Sequence, residues 1–361
     1  MEQKLVLNMD PTAENGRNSE GSFLRAPNGD ILFAYSRYNS AEGDDHAPCD
    51  IYMIRSSDEG ETWSEPVCIA RAADFGVKNV MSVSGLPLMD GRLCFFFLIK
   101  EDQKPPYTYS SIGRAVSSDG VHFEASRCKF QVGEGYYVVN NDRFIRLSDG
   151  RIATAGSLHV EAYGDGYASM DGCGEPVCFV SEDDGESFRR TPARITLSGK
   201  IAQMAGMQEP GIIQQKNGVI RMWARTRLHC QYECYSLDDM QSFTPPEPSE
   251  FTSPCSPLCM HRGPEDELYV VYNPIPEYNG RPKTSRWNGG RTPLVIRKST
   301  DDGRTWGPLN VIEDEDDRGY CYTAMFHTND GHLLCGYCRG SAKEGILNRL
   351  GIMKIKLDTI E

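Results

Sequence analysis

The sequence predicts an all-β protein, a six-bladed β-propeller of four-stranded antiparallel blades, because two repeats interleave along it and helix signals are nearly absent. The first repeat is Ser-x-Asp-x-Gly-x-Thr-Trp, seen from Ser56 to Trp63 and intact again from Ser299 to Trp306. It closes with Ser and Phe from Ser181 to Phe188, runs one residue short from Ser117 to Phe123, and carries Met240 in the Gly position from Ser236 to Phe243. Its aspartates, Asp58, Asp119, Asp183, Asp238 and Asp301, are separated by 61, 64, 55 and 63 residues, a period that belongs to repeat architectures. The second repeat is the pair Asn28-Gly29, Asp90-Gly91, Asp149-Gly150, Asn217-Gly218 and Asp330-Gly331, each set between two apolar, β-rich runs in the pattern of a tight hairpin.

Taken in order, each unit reads strand, Asx-Gly hairpin, strand, longer loop, strand, box turn, strand. In the first unit the strands are expected at Ser22 to Ala26, Ile31 to Ser36, Asp50 to Arg55 and Glu65 to Ala70. Between Gly218 and Gly331 the gap is 113 residues, about double the others, and Glu265-Asp266-Glu267 ahead of Leu268 to Tyr272 supplies a sixth hairpin there. The last unit has no box. It ends in Gly351 to Leu357, and Lys4 to Leu7 from the other end of the chain can complete its sheet, so residues 1–361 read as one domain. Within a box the Asp carboxylate accepts hydrogen bonds from neighbouring N–H groups, Gly supplies φ > 0, and the aromatic residue packs under the turn. Such a turn folds the chain and does no chemistry.

Composition narrows the function. The net charge of −13 argues against a nucleic-acid partner, which calls for a basic face. No stretch approaches the ~20 apolar residues of a membrane helix, so no membrane partner is expected. Met1 to Asp10 lacks a basic start followed by an apolar run, so a cytoplasmic location is the expectation. The 13 cysteines are an odd number scattered through strand-like runs, which suits buried thiols in a reducing compartment better than a disulfide framework. Cys335-x-x-Cys338 is half of a zinc pattern with no second pair at ligand spacing, and neither a metal nor another cofactor is expected.

Strand parity puts the hairpins and box turns at one end of the units and the long loops at the other. Those loops, Arg37 to Pro48, Lys100 to Tyr109, His159 to Gly174, Arg225 to Tyr232 and Asn273 to Arg291, are rich in polar and charged residues, and function is expected there. Nine residues before each hairpin Gly, at the expected start of the innermost strand, stand Glu20, Ser82, Asn141, Glu209 and Tyr322. Polar groups at one repeated position, where packing would favour apolar ones, are expected to line one pocket.

With these motifs in place, the chain resembles the sialidase (neuraminidase) superfamily, six-bladed propellers that carry such Asp-boxes, over essentially its whole length. Tyr322-Thr323-Ala324-Met325 ahead of Asp330-Gly331 is similar to the family's Tyr-Ser-x-Met or Tyr-Ser-x-Leu opening of the last blade, which implies Tyr322 as nucleophile. Glu209-Pro210, Asn217-Gly218 and a strand ending in Arg225 resemble the segment of the assisting Glu. Asp44 and Asp45, 12 and 11 residues before the first box, stand where the family has its acid/base Asp, and spacing does not choose between them. Arg291, eight residues before Ser299, matches the third of the family's three carboxylate-gripping arginines. The first two matching positions hold Glu20 and Gln231 instead. Arg17, Arg37, Arg225 and Arg227 are near enough in sequence to stand in, and Asn141 and Arg143 complete the expected substrate-binding set.

The resemblance implies an exo-glycoside hydrolase acting on a glycoside or oligosaccharide with a terminal, anionic sugar, sialic acid or a relative. A neutral phenol attacks an anomeric carbon whose carboxylate would repel a carboxylate nucleophile, and because free Tyr has a pKa near 10 it needs Glu209 as base. The Asp protonates the leaving oxygen and then activates water, while arginines hold the substrate carboxylate. His159 and Tyr163 offer a second acid/base pair. Two other readings fit the same residues: a polysaccharide lyase on the same fold, and a non-catalytic carbohydrate-binding propeller.

Overall fold

The computed structural model describes residues 1–101, 110–131, 135–159, 161–164, 167–170, 174–198, 205–275 and 289–361. The protein is all-β, with a propeller-like arrangement of antiparallel sheets. Three of these sheets have four strands each. One orders Gln208–Gln214, Ile220–Arg225, Cys230–Ser236 and Glu247–Thr252, and a second orders Cys259–Arg262, Leu268–Tyr272, Leu294–Ser299 and Asn310–Glu313. The third orders Cys321–His327, His332–Cys338, Leu350–Lys356 and Gln3–Met9, so the first strand of the chain closes the sheet of the last unit. The first and second units form one larger sheet only because Cys49 bridges Asn79. The third unit adds the short strand Lys129–Gln131, parallel to Ser187–Arg190, at its outer edge.

The innermost strands meet one another. Arg17–Arg25 lies against Asn79–Pro87 on one side and Cys321–His327 on the other, and Cys321–His327 in turn lies against Cys259–Arg262. Cys259–Arg262 also meets Gln208–Gln214, and that strand lies against the second strand of the third unit, Ile152–His159. Apolar side chains of adjoining units share cores, as where Phe23 and Phe33 of the first pack with Leu334 and Ile352 of the last. The alternation of the strands explains this: each sheet buries both faces, one against each neighbour.

The repeated polar position is a backbone feature. Glu20, Ser82, Glu209 and Tyr322 have φ of 55°, 60°, 46° and 58°, and each sits at a β-bulge inside its strand rather than at its start. The left-handed conformation is unfavourable for a residue with a Cβ and persists only where surroundings enforce it. Here buried serines of adjoining units supply acceptors around the bulges: Ser36 Oγ accepts from Ser82 N at 2.9 Å, Ser22 Oγ from Gly85 N at 2.8 Å and Ser157 Oγ from Glu209 N at 3.4 Å. The bulge turns the side chain out of the pleat and toward the axis.

The third unit departs from the expected register. Its innermost strand is split into Tyr136–Val138 and Ile145–Arg146, and the left-handed residue is Asp142, with φ 57°, instead of Asn141. The chain leaves the sheet between the two pieces, which is why counting back from Gly150 lands one residue early.

The box turns do what their residues require. Asp58 Oδ1 accepts from Thr62 N at 2.9 Å, its Oδ2 from Thr62 Oγ1 at 2.6 Å, and Gly60 has φ 88°. The turns bond to hairpins of neighbouring units: Asp302 Oδ2 accepts from Lys216 N and Asp184 Oδ2 from Met89 N, both at 2.8 Å. Hairpins and box turns therefore share one end.

Candidate active site

At the opposite end the bulges bring Glu20, Ser82, Glu209 and Tyr322 to one cavity of about 100 Å³, lined also by Asp45, Lys100, Tyr136, Asn140, His159, Gln208 and Arg225. Tyr322 Oη donates to Glu209 Oε1 at 3.0 Å. Arg225 Nη1 lies 2.9 Å from Glu209 Oε2 and 3.5 Å from Tyr322 Oη, and its Nη2 donates to Gln208 Oε1 at 2.9 Å. The Arg291 guanidinium stands 5.5 Å above the Tyr322 ring. Burial, then the Glu209 carboxylate, push the Tyr322 phenol well above its ordinary value, against the pull of Arg225 and Arg291. The phenol is therefore held neutral and donates its hydrogen bond to the Glu209 carboxyl group.

The Arg291 guanidinium also donates, through Nη1, to Cys321 Sγ at 3.1 Å. Burial would push that thiol up, but its hydrogen bond with Cys338 and the Arg291 charge bring it down to about 7.

A second group of charges forms the opposite wall. The fully buried Arg17 donates through Nη1 to Asp45 Oδ1 at 2.5 Å, through Nη2 to Glu20 Oε1 at 3.1 Å and through Nε to Ser19 Oγ at 2.8 Å, with its guanidinium 4.5 Å from the Tyr38 ring. Lys100 Nζ donates to the Asp45 carbonyl. Burial, reinforced by Asp45 and Glu209, raises Glu20 from 4.5 to about 7 despite Arg17. Desolvation pulls Asp45 the same way, but Arg17 and Lys100 outweigh it and hold this carboxyl well below the usual range, with 56% of its side chain exposed.

The other expected site residues fall elsewhere. Asp44 is exposed and accepts from His46 N at 2.7 Å, closing its own turn, so of the two adjacent aspartates it is Asp45 that reaches the cavity. Asn141 is buried in the axis below the cavity, its Nδ2 donating to Gly21 O at 2.9 Å and to Tyr322 O at 3.2 Å. Arg143 donates to Leu258 O at 2.7 Å and lies beside Trp223, tying units together in the interior. Gln231, fully buried, donates to Ser253 Oγ at 3.0 Å and Ser256 O at 2.8 Å. Arg37 stacks over Tyr52 at 4.6 Å, and Arg227 is exposed. None of Asn141, Arg143, Gln231, Arg37 and Arg227 lines the cavity. His159 does, with Nε2 3.0 Å from Ser157 Oγ, while the Tyr163 side chain lies outside the described residues, as do 102–109 and 276–288 of the long loops.

Counting along the first strands alone missed Lys100. It faces Asn79 at the end of a second strand, as His159 faces Tyr136 and Arg225 faces Gln208; nine residues after the hairpin Gly finds Lys100 and His159, whereas Arg225 comes seven after Gly218.

Solved structures share this architecture. A protein of unknown function from Dyadobacter fermentans DSM 18053 is similar over 98% of this chain and 99% of its own, with a TM-score of 0.71 and 16% identity. A Hadza microbial sialidase gives 0.72 and 16%, over 96% of this chain and 66% of that one. The NanB sialidase of Streptococcus pneumoniae gives 0.71 and 12%, over 99% and 71%. At such identities the likeness is one of fold. A sequence comparison with curated proteins found no match. Residues 18–335 match the model of the BNR repeat-like domain, a span that takes in every box turn and leaves out in full only the two outer strands of the last unit, Gln3–Met9 and Leu350–Lys356, among the described strands, and the chain accordingly belongs to the sialidase and BNR-repeat superfamily.

Proposed function

We propose that the units close into a six-bladed ring and that the protein is a sialidase-like exo-glycoside hydrolase of the retaining type. The mutual contacts of the innermost strands support the ring. The observation that carries the activity is the 3.0 Å hydrogen bond from Tyr322 Oη to Glu209 Oε1 at the floor of a cavity. In this reading Tyr322 Oη bonds to the anomeric carbon as its proton passes to Glu209, and the leaving oxygen takes a proton from the acid/base carboxyl. Water then breaks the glycosyl–tyrosine bond, restoring both groups. Arg225, between Glu209 and Tyr322, stabilises the charge that moves between them.

Asp45 is the acid/base carboxyl of this reading. Its ion pair with Arg17 keeps it ionised, so it can take up and donate a proton only when that pair is loosened. Glu20 is the alternative donor, because at about 7 it retains the proton that Asp45 has lost. An anionic group on the sugar would be met by Arg225 and Lys100, since Arg17 is enclosed behind its two carboxylates. A panel of aryl α-sialosides, uronides and neutral glycosides tests the proposal: turnover of the sialosides with retention of configuration is expected. Turnover of neutral sugars alone would refute anionic-sugar recognition, and an unsaturated product from a uronide polymer would indicate a lyase.

A further inference from the structure

The other mouth of the channel carries a site that the glycosidase reading does not use. Asp142, on the chain segment that leaves the third sheet, reaches the axis and meets three other units. Its Oδ1 accepts from Ser22 Oγ at 2.6 Å, its Oδ2 accepts from Met325 N at 3.1 Å, and His261 Nε2 lies 2.8 Å from Oδ2. Cys259 Sγ is 3.9 Å from the same oxygen. Cys259 and His261 stand two apart on one strand, hence on one face of it. The carboxylate oxygen, the thiol sulfur and the imidazole nitrogen all lie within 4.8 Å of one another. Asp142 and His261 also line a cavity of about 450 Å³ that includes Arg146, Ser148, Gln214 and Arg262 from the hairpin ends of the inner strands.

We propose that Asp142, Cys259 and His261 bind a zinc ion, with the fourth coordination position open to this cavity. Ligand atoms at zinc–ligand distances of roughly 2.0–2.3 Å stand about 3.3–3.8 Å apart in a tetrahedron, so the observed set needs shifts of about an ångström or less. The donor set of one thiolate, one imidazole and one carboxylate suits zinc and excludes calcium and magnesium, which take oxygen ligands. The bonds from Ser22 and Met325 fix the carboxylate as outer partners do in metal sites. His327, on the adjoining innermost strand, has no hydrogen-bond partner for either ring nitrogen and faces the ring of Tyr269 at 5.3 Å, so the neighbourhood holds a further imidazole that the fold leaves unengaged. Zinc here would clamp the third unit to the fifth at the axis, far from the loop-side chemistry.

The test uses the full chain stripped with a chelator and titrated with ZnCl₂ against a chromophoric competitor, and with CoCl₂ for its thiolate charge-transfer absorption. One equivalent of zinc at micromolar affinity or tighter is expected, with a cobalt–thiolate band and a melting temperature that rises with zinc. Cys259→Ser should abolish the band and weaken zinc by about 30-fold or more, and His261→Gln, which keeps a donor to Asp142, should weaken it comparably. Near-ultraviolet circular dichroism establishes that both variants are folded; should Cys259→Ser fail to fold, His261→Gln decides alone. Absence of binding at 10⁻⁴ M zinc, or binding unchanged in the folded variants, which would place the metal on other thiols, overturns the proposal.

Discussion

Asn141 Nδ2 donates to the backbone carbonyl of Tyr322 at 3.2 Å, reaching across the axis from the third unit to the last. The same amide group donates to the carbonyl of Gly21, next to Glu20. One side chain thus pins the backbone at two of the left-handed residues that aim carboxyl and phenol into the cavity. Asn141→Ala should leave both carbonyls buried without a donor and destabilise the fold by about 1–3 kcal/mol. Because a small displacement of a reacting group is costly, turnover should fall by roughly 10²-fold. Steady-state kinetics alongside urea denaturation check this; unchanged kcat at reduced stability would show that the crossbar holds the sheets together and does not position Tyr322.

Tyr322→Phe removes the oxygen that bonds to Glu209 and keeps the ring under Arg291. Turnover of an activated glycoside should drop by about 10³-fold or more while sugar binding, followed by calorimetry, is retained. A binding protein would show no turnover in either form.

Glu20 gives the protein a pH signature. Its carboxyl titrates at 4.5 when unfolded and at about 7 in the fold, because burial, helped by Asp45 and Glu209, outweighs Arg17 and Lys100. Between those values the folded state holds a proton that the unfolded state has released. The stability this group contributes is full below pH 4.5 and is lost as pH rises to about 7. Glu20→Gln cannot titrate, and its carbonyl can still accept from Arg17. Relative to wild type it should gain stability across that window, by at most about 3 kcal/mol, and show no further change above pH 8. Denaturation at pH 4.5, 6 and 8 measures it, and a constant difference across the three would rule out the raised value.

Arg17 is the sole guanidinium shared by Glu20 and Asp45 among the described residues. Replacing it with Met keeps bulk and removes the charge, leaving two acids to face each other beside Lys100. A loss of about 3–5 kcal/mol at pH 8 is expected, the usual result of stripping one partner from a buried pair. The double variant with Glu20→Gln should recover more of it than Glu20→Gln gains alone. Additive effects of the two substitutions would mean that the two residues do not interact.

How much of this was legible in the chain depends on whether a residue's role is set by its own unit or by several. The box turns and Asx-Gly hairpins are local, so Asp58, Gly60 and Gly29 announce themselves, and their period gives the register of Glu20, Ser82, Glu209 and Tyr322. The resemblance to sialidases had singled out Tyr322 and Glu209 for a partnership, and they do meet. Asn141 was misread because the third unit breaks its inner strand, which no spacing rule reports. Gln231 and Arg143 were misread because a polar residue near a strand end can bond inward to carbonyls as readily as outward to a ligand. Arg17 was named only as a possible substitute for a missing arginine; that it bridges Glu20 to Asp45 depends on how the Arg37 to Pro48 loop folds back over the first strand. Asp142 with Cys259 and His261 was invisible, since more than a hundred residues separate the carboxylate from the other two.

The box turns supply a control for all of these, since they lie at the end away from the cavity. Asp58 accepts from Thr62 N, Thr62 Oγ1 and Ser56 Oγ, and these bonds lower its carboxyl to about 2 although burial opposes them. A depressed value means stability that is present above the unfolded value of 3.8 and lost as pH falls toward 2. Asp58→Ala removes three hydrogen bonds from a tight turn and should cost roughly 1–3 kcal/mol at pH 7, with less difference from wild type at pH 2.5. Its effect on kcat/KM at a temperature where both proteins are fully folded should be under about twofold, because the turn touches Leu334 and the hairpin side, never the cavity. A large kinetic effect in a fully folded variant would mean that the two ends of the channel are coupled, and would return the boxes to the chemistry from which strand parity removes them.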